Sequence, residues 1–178
     1  MSSWRNERVV TRQLAGAGAE FVVLTANTAH LVFDDLAARS TVPLLSIVET
    51  CARAARERGL VRLALLGTRF TMKGPFYPTV CERYGVTVVA PNAPDRIWIH
   101  ERYVNELLKG EFREDTRAQF TSLVGRLRDD AGVDGVILGG TELPLLLPDA
   151  FIAEISSLDT TALQVAAIVR RLRQAHSV

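Results

Sequence analysis

Three short stretches of the chain combine hydroxyl side chains with groups that can hold an anion or transfer a proton. They are residues 25–30 (Thr-Ala-Asn-Thr-Ala-His), 67–74 (Gly-Thr-Arg-Phe-Thr-Met-Lys-Gly) and 139–142 (Gly-Gly-Thr-Glu). Hydroxyl groups beside the backbone N–H groups of a helix start are good anion sites. The three stretches together therefore predict a binding site for a small anion.

Three side chains in these stretches are candidates for proton transfer: His30, Lys73 and Glu142. A histidine can act as an acid or a base near neutral pH, but a single histidine at this position also fits a structural role. Lys73 would act as a base if desolvated, or would bind a second carboxylate. For the hydroxyl groups a simpler alternative stays open, because Thr28, Ser46 and Thr141 could serve only as helix caps.

The elements that must position these residues read as strands followed by helices. Residues 21–24, 61–66 and 135–138 are almost entirely apolar, which is typical of parallel strands covered on both faces. Helical patterns alternate with the strands, so the sequence predicts a parallel α/β fold. In such sheets ligands bind beyond the carboxyl ends of the strands, where the three polar stretches lie.

Asn27 or Thr28 can cap a helix that runs to about residue 39. Residues 67–71 are expected to form a loop, and residues 151–158 are ambiguous.

Composition excludes several classes of partner. With 21 Lys and Arg against 20 Asp and Glu, the net charge of +1 indicates neither a nucleic-acid nor an anionic-membrane partner. No apolar run approaches the roughly 20 residues of a membrane span, and residues 1–5 lack the apolar core of a signal peptide. Two cysteines without motif spacing indicate a reduced, cytoplasmic protein. The histidines and cysteines show no metal-ligand spacing, and the glycines do not form a nucleotide-binding motif.

Two of the stretches resemble the paired signatures of the aspartate/glutamate racemase family. Members typically carry Cys-Asn-Thr-Ala-His in the first half and Gly-Cys-Thr-Glu-Leu-Pro-Leu-Leu in the second. Residues 27–30 and 141–146 match these signatures as they stand. Ala26 and Gly140, however, occupy the positions of the two catalytic cysteines. Gln164 also departs from the family, which usually has a histidine there.

The resemblance implies two pseudo-symmetric lobes built on parallel sheets. The first lobe would comprise residues 1–45, shortened at its N-terminus and completed by residues 146–178, and the second would comprise residues 46–145. Family members normally begin with a further strand inside the first sheet, so either another chain fills that place or this is a shortened gene product. The family uses no cofactor and is commonly dimeric, so a homodimer is expected. The resemblance also places a set of residues at or near a small amino or carboxylic acid substrate: Asn27, Thr28, Thr68, Thr71, Met72, Lys73, Thr141 and Glu142.

The two replaced cysteines leave two hypotheses for function. Racemisation needs an acid/base group on each side of the α-carbon, and alanine and glycine supply none. Cys51 and Cys81 lie within predicted helices and are expected to be buried apolar residues. One hypothesis is an isomerase or lyase that transfers protons through His30, Lys73 or Glu142 instead of the thiol pair. The other is a catalytically inactive homologue that binds an amino acid or a partner protein.

Overall fold

The computed structural model describes residues 3–175 as alternating helices and short strands. The strands are β1 (Val22–Val23), β2 (Leu44–Leu45), β3 (Arg62–Gly67), β4 (Thr87–Val89), β5 (Gly135–Gly139), β6 (Phe151–Ile152) and β7 (Ile155–Asp159). The helices are α1 (Ser3–Gly16), α2 (Phe33–Ala37), α3 (Ile47–Glu57), α4 (Arg69–Lys73), α5 (Phe76–Glu82), α6 (Ala93–Asn105), α7 (Glu114–Ala131), α8 (Leu143–Leu146) and α9 (Thr160–Ala175). Two 3₁₀ helices span Asn27–Val32 and Leu107–Lys109. The predicted α/β class is confirmed.

The strands form two sheets. Strands β4, β3, β5 and β7 are parallel and lie side by side in that order, and β6 forms an antiparallel hairpin with β7 at the edge. Strands β1 and β2 form a separate two-stranded parallel sheet. In the larger sheet Gly67 at the end of β3 pairs with Gly139 at the end of β5. The segments that follow these two strands therefore leave the sheet side by side.

The larger sheet is covered on both faces, as its apolar strands predict. Ala64 and Leu66 of β3 point into a core shared with α6 and α7, which contribute Ile99 and Phe120 among others. Leu63 and the other alternate residues of β3 and β5 point into a second core, formed with α3 and α5. Because side chains alternate along a strand, one continuous apolar run fills two cores.

Two local elements differ from the sequence-based expectations, and a third, which the sequence leaves ambiguous, is defined by the structure. The segment after β3, expected as a loop over residues 67–71, forms the short helix α4, because the Thr68 hydroxyl accepts a hydrogen bond from the Thr71 N–H at 3.4 Å. The single helix expected over residues 28–39 begins instead as a 3₁₀ helix. There the Ala26 carbonyl oxygen accepts from both the Ala29 N–H and the His30 ring, which favours the tighter i→i+3 pattern. Residues 151–158, ambiguous in sequence, form the β6–β7 hairpin.

The division into two lobes, with a boundary expected at residue 145, stays a prediction. Strands β6 and β7 fall within the segment expected to complete the first lobe, yet β7 pairs with β5 of the larger sheet. Strand β5 lies inside the larger sheet, and the backbone N–H and C=O groups along its second edge are paired with β7. Helix α9 does reach the first sheet, where the Gln164 side chain donates to the Leu24 carbonyl oxygen at 2.9 Å. None of the helices in the described part of the chain is long and apolar enough to span a membrane.

Candidate functional site

Three threonine hydroxyls from two parts of the chain form one cluster. Thr28 follows β1, whereas Thr68 and Thr71 follow β3. The Thr28 oxygen lies 3.4 Å from those of Thr68 and Thr71, and the latter two lie 3.2 Å apart. Thr71 is fully buried, and the other two are half-buried. The structure thus brings together three of the predicted binding residues, at the carboxyl end of the larger sheet.

Two glycines create the space for this cluster. A Cβ atom on Gly67 would lie 2.7 Å from the Gly139 carbonyl oxygen and 3.0 Å from the Thr71 side chain. A Cβ atom on Gly139 would lie 2.7 Å from the Leu66 carbonyl oxygen and 3.1 Å from Thr71 Cγ2. Any larger residue would therefore press on backbone atoms of the neighbouring strand. The glycines that end β3 and β5 allow Thr71 to pack directly against the sheet.

The capping alternative holds for one of the three hydroxyls that it concerned. Ser46 caps α3, since its hydroxyl accepts from the Glu49 N–H at 3.1 Å. Thr28 lies inside the first turn of a 3₁₀ helix whose flanking residue is Ala26, and no side chain caps that helix. The expectation that Asn27 or Thr28 caps the helix is therefore wrong. Thr141 precedes Glu142, which begins α8 without a side-chain cap. The Thr28 and Thr141 hydroxyls are not used as caps.

Asn27 belongs to a buried hydrogen-bond network beside the threonine cluster. Tyr77 of α5 donates to Asn27 Oδ1 at 2.5 Å, and Asn27 Nδ2 donates to Thr160 Oγ1 at 3.3 Å. Thr160 in turn donates to the Leu138 carbonyl oxygen at 2.8 Å. Because all three side chains are buried, each depends on these partners. The network joins the segment after β1 to β5 and α9, and it fixes the backbone from which Thr28 projects.

His30 has both ring nitrogens engaged. Nε2 accepts a hydrogen bond from the Ile47 N–H at the start of α3, at 3.2 Å. Nδ1 therefore carries the proton and donates to the Ala26 carbonyl oxygen at 3.2 Å. Burial lowers the pKa of His30 to about 4, against opposing effects of its hydrogen bonds and of Asp34. The imidazole is thus neutral at neutral pH and ties the first polar stretch to α3, a geometry that favours the structural role over proton transfer.

Glu142 is paired with Tyr103, which sequence reasoning missed. The Tyr103 hydroxyl, on α6, donates to Glu142 Oε2. Tyr103 is buried, whereas Glu142 is half-exposed, so the carboxylate is the more accessible member of the pair. Burial, the hydrogen bond to Glu142 and the charge of that carboxylate all raise the pKa of Tyr103 above its ordinary value. The phenol therefore stays protonated and remains a hydrogen-bond donor to the carboxylate.

Tyr103 also occupies the space beside Gly140. A Cβ atom built on Gly140 would lie 2.8 Å from Cε2 and Cζ of the Tyr103 ring, and closer still to its hydroxyl oxygen. A side chain at residue 140 and Tyr103 in its present position therefore exclude each other. Tyr103 falls at helical spacing with the buried residues Ile99 and Leu107, so the sequence could predict its burial. The sequence carries no signal that its hydroxyl reaches Gly140.

The remaining predicted site residues are more dispersed. Lys73 ends α4 and is exposed. Met72 lies in the core shared with Tyr103. Ala26, at the other cysteine position, is exposed and carries no acid/base group.

Neither cysteine lies in the site. Both Cys51 and Cys81 are buried in the core between the sheet, α3 and α5. Burial raises the pKa of both thiols, that of Cys81 to about 12. The thiols are therefore protonated and act as small apolar side chains, as expected. Among the described residues there is also no group of three or more His, Cys, Asp or Glu side chains placed to hold a metal ion.

Comparison with known families agrees with this architecture. The family model described as Asp/Glu/Hydantoin racemase matches residues 7–168, which is most of the chain. The chain belongs to this family. The resemblance carried by residues 27–30 and 141–146 is thereby confirmed.

Solved structures of family members share the fold. An aspartate racemase homologue from Pyrococcus horikoshii OT3 is 31% identical, with a TM-score of 0.84 over 95% of this chain and 75% of that one. A putative Asp/Glu racemase from Yersinia pestis is 33% identical, with a TM-score of 0.84 over 94% of this chain and 74% of that one. Among sequences, the glutamate racemase of Koribacter versatilis is 27% identical over 158 residues, which are 84% of this chain and 53% of the relative. The chain thus spans about half the length of that relative.

Proposed function

We propose that this family member binds the carboxylate of a small amino or carboxylic acid at the threonine cluster, and transfers a proton on one face of that acid through Glu142. The cluster of Thr28, Thr68 and Thr71 carries the binding part of the proposal. Three hydroxyls within 3.2–3.4 Å of one another can turn their protons towards a single anion. Family membership supports an amino acid or related acid as the ligand.

The one-faced chemistry follows from the two positions where the family resemblance places thiols. On one side Ala26 provides no group that can accept a proton. On the other side Gly140 provides none either, but Glu142, two residues further on, is half-exposed and hydrogen-bonded to Tyr103. A carboxylate base can take the α-proton, and the electron pair left on the α-carbon is then delocalised into the substrate carboxylate. Without a second group opposite, the proton returns to the face from which it left.

The alternative is a catalytically inactive homologue that binds an amino acid or a partner. The observation that favours it is the loss of acid/base function at Ala26, combined with the engagement of both His30 nitrogens in structural hydrogen bonds. Such a protein would use the same threonine cluster, but Glu142 would only help to shape the site. The expected homodimer and cytoplasmic location also remain predictions. Sedimentation equilibrium of the purified chain tests the first, and cell fractionation tests the second.

Deuterium exchange separates the proposal from its alternative. The protein is incubated in D₂O with each enantiomer of Asp, Glu and Ala and with malonate-type acids, and the α-protons are followed by proton NMR. The proposal predicts exchange in one enantiomer of the preferred acid, with retention of configuration. Exchange with inversion would contradict the one-faced mechanism. Thermal stabilisation by one of the acids without any exchange would instead identify the binding protein.

A further inference from the structure

Gly140 and Tyr103 lie in close contact beside the end of β5. Gly140 directly follows β5, and its missing side chain leaves room that the phenol of Tyr103 fills. Tyr103 comes from α6, which packs against the core face of the sheet. A side chain from a different helix thus reaches the position where a residue-140 side chain would lie. The sequence around residue 140 gives no indication that a side chain from another helix fills this space.

The Tyr103 hydroxyl is directed at one partner. It donates to the carboxylate oxygen Oε2 of Glu142. Tyr103 is only 3% exposed, so its hydroxyl has little access to solvent and acts through the residues that it touches. Glu142 has one carboxylate oxygen engaged by the phenol, and its side chain is half-exposed.

We propose that Tyr103 is a positioning residue that takes the place of a side chain at residue 140 and holds the Glu142 carboxylate in position for proton transfer. This inference rests on the proposed function, because it assigns the residue that orients the group acting on the substrate. In the forward step the α-C–H bond breaks, and the proton goes to a Glu142 carboxylate oxygen. The electron pair stays on the substrate, and the reverse step returns a proton from Glu142 to the α-carbon. Tyr103 keeps its own proton and its hydrogen bond throughout.

This role makes the residues at positions 103 and 140 mutually dependent. Tyr103→Phe keeps the ring that fills the space beside Gly140 but removes the hydroxyl that orients Glu142. Gly140→Cys introduces a side chain into the volume that Tyr103 occupies, so the phenol must move away from Glu142. Tyr103→Ala empties that volume, and the double variant Tyr103→Ala/Gly140→Cys places a thiol in it.

The experiment measures α-proton exchange and thermal unfolding in these variants, with the preferred acid of the panel as substrate. For Tyr103→Phe we expect kcat for exchange to fall about 10- to 100-fold, because the variant loses one hydrogen bond to a charged group. KM and Tm should stay nearly unchanged. A structural role would lower Tm and leave kcat intact. Gly140→Cys and Tyr103→Ala should each lower kcat for exchange at least as far as Tyr103→Phe, because neither leaves the phenol on Glu142. The double variant should exceed both single variants, because only there does the volume emptied by Tyr103→Ala accommodate the thiol as an acid/base group. Tyr84→Phe is the matched control, because it removes a hydroxyl that bonds Glu49 and is not part of the proposed site.

The outcomes separate the failure of this inference from the failure of the proposed function. Exchange in Tyr103→Phe at the wild-type rate would overturn the role of Tyr103 and leave that of Glu142 standing. Undiminished exchange and Tm in Gly140→Cys would show that the two positions do not compete for space, and would also overturn it. If the wild type exchanges the α-proton of none of the acids, the proton-transfer function itself is overturned, together with the role of Tyr103 in it.

Discussion

The hydroxyl oxygens of Thr28 and Thr71 lie 3.4 Å apart, although 43 positions separate these residues in sequence. Thr28 follows the two-stranded sheet, and Thr71 follows a strand of the five-stranded sheet. The contact forms because Gly67 and Gly139 let Thr71 approach the ends of β3 and β5 closely. The site therefore depends on positions that carry no functional group.

Gly139→Ala is expected to destabilise the protein by about 1–3 kcal/mol, a typical cost of overpacking. The added methyl group would meet the Leu66 carbonyl oxygen at 2.7 Å, and a strand backbone cannot rotate away as a side chain can. Urea unfolding measures the change in the free energy of unfolding. Gly125→Ala on α7 is the control, since its methyl group would lie at an ordinary 3.7 Å from the nearest side-chain atom. Equal stability of the two variants would show that the approach at Gly139 is not tight.

Tyr77→Phe should lower the free energy of unfolding by about 1–3 kcal/mol, because Asn27 Oδ1 would lose its buried donor. Tyr77 is fully buried, so water cannot replace the hydroxyl without rearrangement. Guanidinium unfolding tests this expectation. Tyr84→Phe again serves as the control, because Tyr84 lies nearer the surface, and a change of less than about 0.5 kcal/mol is expected there. A neutral Tyr77→Phe variant would mean that the network does not hold Asn27.

Protonation of the buried His30 is expected to make the free energy of unfolding depend on pH over a defined range. The imidazole pKa is about 4 in the folded protein, against 6.5 for an unperturbed histidine. Between these values the unfolded chain binds more protons, so the free energy of unfolding falls as the pH drops from about 6.5 towards 4. The full contribution, present above about pH 6.5, is about 3 kcal/mol.

The measurement is urea unfolding of the wild type and of His30→Phe at about pH 7.5 and about pH 5. Phenylalanine retains an aromatic ring to stack on Phe33, which the His30 ring contacts at a centroid distance of 5.0 Å, but it cannot be protonated. The wild type should therefore lose more stability than the variant between the two pH values. Equal losses would show that His30 does not titrate in this window.

The sequence predicted the architecture because its strands are apolar throughout and its helices end at glycines. Residues 63–66 are apolar on both sides of the strand, so both faces of the sheet must be covered there. Gly59 and Gly85 both adopt the positive φ that ends a helix. The polar stretches after β3 and β5 were also brought together as predicted, since parallel strands of one sheet deliver their ends to one edge.

The parts that the sequence did not predict depend on contacts between distant elements. Tyr103 reads as an ordinary inward residue of α6, and only the three-dimensional packing places its hydroxyl beside Gly140. Thr160 reads as a helix-start residue, but its hydroxyl bridges Asn27 and Leu138. The β7 strand was not assigned to the larger sheet, because periodicity does not reveal which strand a segment pairs with.

The most direct test of the account is the affinity of the threonine cluster for a carboxylate. Calorimetric titration with the acid that best stabilises the wild type is compared among Thr28→Val, Thr68→Val and Thr121→Val, each of which removes one hydroxyl but keeps the branched shape. Thr121 donates only within α7 and serves as the control. We predict that Thr28→Val and Thr68→Val weaken binding about tenfold or more, while Thr121→Val binds like the wild type. Unchanged affinity in both cluster variants would contradict the assignment of the site.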